Sequence, residues 1–291
     1  MRREYCGDTV HIRGIIEFSN VCVRSCLYCG LRKENRALPR YRMTEKQILE
    51  TVDFIASSGV STVVLQSGDD PGFPAPAICS IIRRVKSRYP AMAVTLSVGE
   101  RPRAEYRAFR QAGADRYLLK HETANPRLYE FIHPGQNLEG RLATLQYLRG
   151  LGFEVGAGMV VGLPGQTLED LADDILLLKS LNADMAGIGP FIPQKDTPLG
   201  DWPAGSLALA LKALALARIV APEANLPATT AVATIDARQG LRKALGCGAN
   251  VVMCDFTPQI FREHYRIYDG KKRVSLEEAR RAIRVIHRRF I

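Results

Sequence analysis

The chain has 291 residues, 46% of them hydrophobic, and a formal net charge of +10. That length is long for one ordinary core but normal for a single α/β barrel, and no window approaches the ~20 uninterrupted apolar residues of a membrane helix. The positive excess invites a nucleic-acid partner, yet it alternates with apolar residues at helical spacing, as in "EEARRAIRVIHRRF". We read it as solvated outer helix faces, because no RNP or KH signature accompanies it.

The first residues, "MRREYCGDTV", carry no apolar h-region or small-residue cleavage site, so the cytoplasm is the expected location. Seven cysteines stand at 6, 22, 26, 29, 79, 247 and 254. An odd count in a long chain without a signal argues against a disulfide framework and for a reducing compartment.

Short apolar runs alternate with helical stretches from end to end. The strands are predicted at 13–18, 62–67, 93–98, 115–120, 153–161, 185–191, 226–231 and 250–253. Helix starts are marked between them. Thr44 and Gln47 form a capping-box pattern, with Met43 and Ile48 placed to staple the first turn and Gly59 to end the helix. Thr167 with Asp170, and Ser275 with Glu278, repeat the pattern. Strand–helix alternation implies parallel strands with right-handed crossovers. Eight units over this length fit a (β/α)8 TIM barrel, with a doubly wound open sheet as the alternative. One domain is expected over 1–291, with a core over about 12–271 and a C-terminal helix over about 275–290.

A barrel places its active site at the C-terminal ends of the strands. Those ends here read "CVRSCLYC", "QSGDDPG", "SVGERP", "KHETANP", "GLPGQT", "GPFIPQKDTP", "TTAVAT" and "MCDFTP". Polar residues, Gly and Pro thus gather at one rim. The first segment carries Cys22, Cys26 and Cys29 in C-x3-C-x2-C spacing. A structural zinc site needs four ligands, and the candidates for a fourth, Cys6 and His11, lie on the far side of the first strand. Three thiolates suit a cuboidal iron–sulfur cluster that keeps one iron open.

With that spacing after strand 1 of an α/β barrel, the sequence resembles the radical S-adenosylmethionine (SAM) superfamily. Its segments "RGIIEFSNVCVRSCLYCGLRKEN", "VLQSGDDP", "DRYLLKHETANP", "GAGMVVGLPGQT", "GIGPFIPQKDTPL", "LPATTA" and "GANVVM" further resemble the HydE family of FeFe-hydrogenase maturases over about 12–271. The superfamily resemblance implies one 4Fe–4S cluster on the three cysteines. In that superfamily SAM binds the open iron and is cleaved by one electron to a 5′-deoxyadenosyl radical. The HydE resemblance implies action on a cysteine-bound iron carbonyl–cyanide precursor of the hydrogenase active site. It also implies a small-molecule substrate in the barrel, an electron donor such as ferredoxin or flavodoxin, and other hydrogenase maturases as partners. HydE relatives often hold a second cluster on C-terminal cysteines. The tail "KKRVSLEEARRAIRVIHRRFI" has none, so one cluster is expected.

The resemblance also assigns a SAM pocket. Tyr28 fits the hydrophobic slot beside the adenine. Ser67, Gly68 and Asp69 occupy the loop that holds the amino group, with Asp69 departing from the usual Gly-Gly-Glu. Glu122 contacts ribose or amino group, and Arg141 the carboxylate. Gly158 lets backbone approach the adenine, and Ile192 flanks it. Gln66 and Thr95, counted with the cofactor pocket, turn toward the substrate with Lys120, Thr229, Thr230, Met253 and Tyr268. Lys120 stands where the HydE pattern has Arg, which keeps the charge but not the bidentate fork.

Each residue also has a plain structural use. Glu122 could cap a helix, Arg141 could lie on a surface, Thr229 and Thr230 could be core strand residues, and Met253 could fill space. Cys79, Cys247 and Cys254 are assigned to packing, and His133 and His287 to the surface. Two other functions are weighed. One is a HydE-like paralogue acting on an amino-acid-like substrate, an isomerase or mutase of the methylornithine synthase type. The other is a non-catalytic iron–sulfur or zinc module that binds nucleic acid.

Overall fold

The computed structural model describes residues 2–291. Its strands are β1 (Thr9–Ser19), β2 (Thr62–Ser67), β3 (Ala93–Ser97), β4 (Arg116–Leu118), β5 (Glu154–Val161), β6 (Met185–Pro190), β7 (Pro227–Ala228), β8 (Val251–Asp255) and β9 (Arg289–Phe290). The sheet runs β6-β5-β4-β3-β2-β1-β8-β7, and every neighbouring pair is parallel. Its ends meet. Met185 bridges Asn225, whose carbonyl accepts from Ala186 N at 3.0 Å and whose N–H donates to Asp184 at 2.8 Å. The sheet therefore closes into the (β/α)8 barrel, and the open doubly wound alternative is excluded.

Alternation along the strands divides the chain into two environments. On β1, Val10, Ile12, Ile16 and Phe18 join the core between strands and helices. The intervening Arg13 and Glu17 are buried inside the barrel, where Nη1 of Arg13 reaches Sδ of Met185 on β6 at 2.9 Å. The main core thus forms a sleeve of Ile, Val and Leu around a barrel interior that keeps polar side chains.

Thr44 and Gln47 make the predicted capping box on helix Glu45–Ser57, and the flanking Met43 and Ile48 are both buried. Gly59 follows in a left-handed conformation, φ 77°. Thr167 and Asp170 cap Leu168–Ser180 in the same way, and the Ser275 hydroxyl accepts from Glu278 N at the start of Leu276–Val285.

Three boundaries differ from expectation by three residues or more, the others by two at most. β1 starts at Thr9, because its first residues gain a partner the local sequence does not reveal: β9 pairs with Thr9 and Val10. The C-terminal helix stops at Val285, because His287 turns left-handed, φ 55°, and sends the chain into β9. β7 covers only Pro227–Ala228; Thr229 caps the helix Thr230–Ile235, its hydroxyl accepting from Val232 N. The β-branched run "ATTAVATI" reads as strand locally, and the cap decides otherwise.

Candidate active site

The cysteine loop leaves β1 at Ser19 and is fastened on every side. Val23 N donates to Asp69 O (3.0 Å), Leu27 N to Ile132 O (2.9 Å), Leu199 N to Leu27 O (3.2 Å) and Gly30 N to Ile267 O (3.0 Å). Arg40 spans the loop's base, donating to the carbonyls of Asn20, Leu31, Arg32 and Asn35 at 2.7–3.1 Å. Gly68 is required by closeness. A Cβ there would lie 2.4 Å from Val21 O and 2.7 Å from Cys22 Cβ.

Cys22, Cys26 and Cys29 are half-buried free thiols. Among the described residues, no three His, Cys, Asp or Glu side chains are grouped to hold a single metal ion. A cuboidal cluster asks for something different, one thiolate per iron. Burial pushes the thiol of Cys22 up and that of Cys29 up to about 12, and pushes Cys26 well above the ordinary thiol range, with repulsion from neighbouring thiolates adding to the shift on Cys26 and Cys29. Three close thiols that resist ionising together are suited to cationic iron, which draws their protons off. The donor set fits such a cluster.

Beside the thiols lies a charged belt. Arg24, two residues past Cys22, contacts Oδ2 of Asp69 at 2.5 Å and Oε2 of Glu100 at 3.0 Å. Burial works against its charge, but both carboxylates outweigh it and raise its pKa. Oε1 of Glu100 is 2.8 Å from Nε of Arg141, an ion pair out of line for a hydrogen bond. Arg141 is buried in the first turn of helix Leu138–Gly150, where Nη1 donates to Lys120 O at 2.8 Å and Nη2 to Gln136 Oε1 at 3.2 Å. It is therefore not a surface residue. Arg24 and Glu100 were not singled out from sequence, although the rim segment "SVGERP" contains Glu100.

Glu122 has φ 65°, in the left-handed region, and is locked there by Glu122 N to Gly158 O and Val160 N to Glu122 O, both 2.9 Å. A non-glycine residue held in this conformation at a barrel rim points to function. Its Oε2 is 2.8 Å from Nζ of Lys120. Burial pushes the Glu122 carboxyl up, but the surrounding positive charge, Lys120 first and Arg141 with it, outweighs burial and holds it below the usual carboxylate range. The buried Thr95 hydroxyl has no hydrogen-bond partner, and Glu122 Oε2 and Arg141 Nε are met only by opposite charge. Polar atoms left open in this way suit a zwitterionic ligand.

The remaining predicted residues are placed as follows. Ser67 is buried and donates to its neighbour Gly68 O at 2.7 Å. Gln66 donates to the Tyr265 hydroxyl at 3.1 Å. Thr229 Oγ1 donates to Ile188 O at 3.4 Å, and Thr230 opens the helix after β7. Met253 is half-buried, in register with Arg13. The Cβ that Gly158 lacks would lie 2.2 Å from Gly187 O, so strand packing alone already demands glycine there. Tyr28 packs against a cluster that includes Leu128, Ile132, Val160, Leu163, Phe191 and Leu199; Phe191 belongs to it, whereas the half-buried Ile192 does not. Cys254 is fully buried in the core outside the barrel, its thiol 3.8 Å from Ser275 O. His133 overturns the surface expectation. It is 2% exposed, and its Nε2 lies 3.1 Å from the Tyr28 hydroxyl.

A closed parallel barrel with three cysteines on its first rim loop, backed by buried charge, defines a radical SAM enzyme. The chain belongs to the radical SAM superfamily, whose family model matches residues 16–178. More particularly, it is 52% identical over 271 residues to the [FeFe] hydrogenase maturase subunit HydE of Thermotoga maritima, covering 93% of this chain and 77% of that one. This places it in the HydE family. It is also 28% identical to 3-methylornithine synthase of Methanosarcina acetivorans, over 100% of this chain and 81% of the relative. The crystal structure of methylornithine synthase (PylB) superposes with a TM-score of 0.88 at 24% identity, covering 100% of this chain and 86% of that chain, a likeness of fold. The superfamily implies a 4Fe–4S cluster and SAM as cofactors. No helix among the described residues is long and apolar enough to cross a membrane.

Proposed function

We propose that the chain is a HydE-type maturase acting, as one cytoplasmic barrel domain, on a cysteine-bound iron carbonyl–cyanide precursor of the FeFe-hydrogenase active site. The observation that carries this reading is 52% identity sustained over 93% of the chain. Cys22, Cys26 and Cys29 would each take one iron of a single cluster. When bound, cluster and SAM supply a 5′-deoxyadenosyl radical through reductive cleavage of SAM.

The protein's own residues bind and orient. Ser67, Gly68 and Asp69 take the SAM amino group, with Asp69 fixed by Arg24. Glu122 takes ribose or amino group, and Arg141 the carboxylate. Tyr28, Gly158 and Ile192 border the adenine. Gln66, Thr95, Lys120, Thr229, Thr230 and Met253 line the approach to the substrate, with Tyr268 beyond them. A ferredoxin or flavodoxin supplies the electron, and other hydrogenase maturases supply or receive the small-molecule cargo.

The test is complementation of a hydrogenase-producing strain deleted for its HydE. Restored hydrogenase activity, lost again in Cys26→Ala, supports the reading; no restoration by a chain that still forms 5′-deoxyadenosine overturns it. That second outcome favours a paralogue working on an amino-acid-like substrate. Lys120 motivates this rival, since its ammonium is engaged by Glu122 and cannot offer a substrate anion a guanidinium fork.

A further inference from the structure

Helix Pro126–Ile132 ends directly against the cysteine loop, where Leu27 N donates to Ile132 O at 2.9 Å. The next residue, His133, is buried between two tyrosines. Its Nδ1 lies 3.2 Å from Tyr129 O. A carbonyl oxygen can only accept, so Nδ1 carries the hydrogen. The neutral ring then presents Nε2 as an acceptor, and the atom 3.1 Å away is the Tyr28 hydroxyl. Tyr28 therefore donates to His133. The two rings meet edge to face at 86° with centroids 5.5 Å apart, and His133 lies against Tyr129 at 4.4 Å.

We infer that His133 is a positioning residue for SAM: by accepting the Tyr28 hydroxyl bond it fixes the ring beside the adenine. This rests on the assignment of Tyr28 above, and nothing in the C-x3-C-x2-C spacing provides for it. Burial pushes the His133 ring down to about 4, outweighing the pull of Glu122, so the ring stays neutral and Nε2 stays an acceptor at physiological pH. The same contact ties the two ends of the SAM pocket together. The guanidinium of Arg141 stands 5.8 Å over the ring of Tyr129, whose carbonyl holds His133.

The test uses the full chain with its cluster reconstituted anaerobically. SAM and, separately, L-methionine are titrated against the reduced cluster and followed by its EPR spectrum. The variants are His133→Leu, His133→Gln, Tyr28→Phe and the double His133→Leu/Tyr28→Phe. His133→Leu and Tyr28→Phe are each expected to lose about 3- to 10-fold in SAM affinity, as for one hydrogen bond. The double variant should lose no more than either single one. Methionine, which has no adenine, should bind all variants alike. His133→Gln should recover affinity, because its amide oxygen can accept from Tyr28.

SAM affinity within twofold of wild type in His133→Leu, additive losses, or a parallel loss for methionine would each overturn the inference. If His133→Leu does not hold iron, Tyr28→Phe decides alone: unchanged SAM affinity there overturns it. A wild-type chain that binds no SAM overturns the assignment of Tyr28 as well. A wild type that binds SAM beside indifferent variants overturns this inference only.

Discussion

Nε of Arg24 lies 2.5 Å from Oδ2 of Asp69, so one ion pair clasps the cysteine loop to the loop after β2. Both partners are largely sheltered, with side-chain exposures of 29% and 15%, and Glu100 braces the same guanidinium. Arg24→Gln releases two carboxylates beside the pocket. We expect SAM affinity to fall about 3- to 10-fold and the melting temperature by ~2–4 °C. Isothermal titration and calorimetry on the reconstituted protein check both, and an unchanged affinity would show the clasp to be structural only.

Gly68 allows β2's end to touch the main chain at Val21. Gly68→Ala inserts a methyl into occupied space, and overpacking of this kind costs about 1–3 kcal/mol. The strain falls on Cys22 itself. The variant should fold yet retain well under half of the wild-type iron after reconstitution, read by iron and sulfide analysis. Full occupancy would mean the loop yields without moving its thiols.

Inside the barrel, Glu17 is buried and pairs with Lys271 at 2.5 Å. Burial, with help from Asp255, outweighs Lys271 and raises the carboxyl from 4.5 to about 7. The sign follows from proton binding. Between those values the folded chain holds a proton that the unfolded chain has lost, so this group's contribution to stability declines as pH rises from 4.5 to about 7 and is flat above. Wild-type melting temperatures should therefore fall relative to Glu17→Gln over that interval. Parallel curves for the two proteins would refute the assignment.

Cys254 lies on the outer face of β8, in the core and against the start of the C-terminal helix. Cys254→Ala should leave cluster content and 5′-deoxyadenosine formation at wild-type levels and lower stability by about 1 kcal/mol, as for a small buried group. Loss of iron in this variant would assign the thiol a part in cluster loading.

The barrel and its rim were legible because two local signals agreed. Strand runs alternated with capped helices, and the cysteine triad fell where the first strand ends. Thr44 and Thr167 made their caps as read. What stayed hidden depends on distant segments. Thr9 and Val10 become strand only when Arg289 and Phe290 arrive beside them. His133, in "FIHPGQ", has the Pro and Gly of a surface turn, and it is buried because the helix end docks under Leu27 and Tyr28. Arg24 and Glu100 are ordinary loop charges until the fold sets them face to face.

The main-chain bonds around the cysteine loop reach Asp69, Ile132, Leu199 and Ile267, positions spread along most of the chain. Those anchors therefore all exist only once the chain has been made through Ile267. The geometry of the three thiols is consequently set by the finished barrel rather than by the cysteine loop alone.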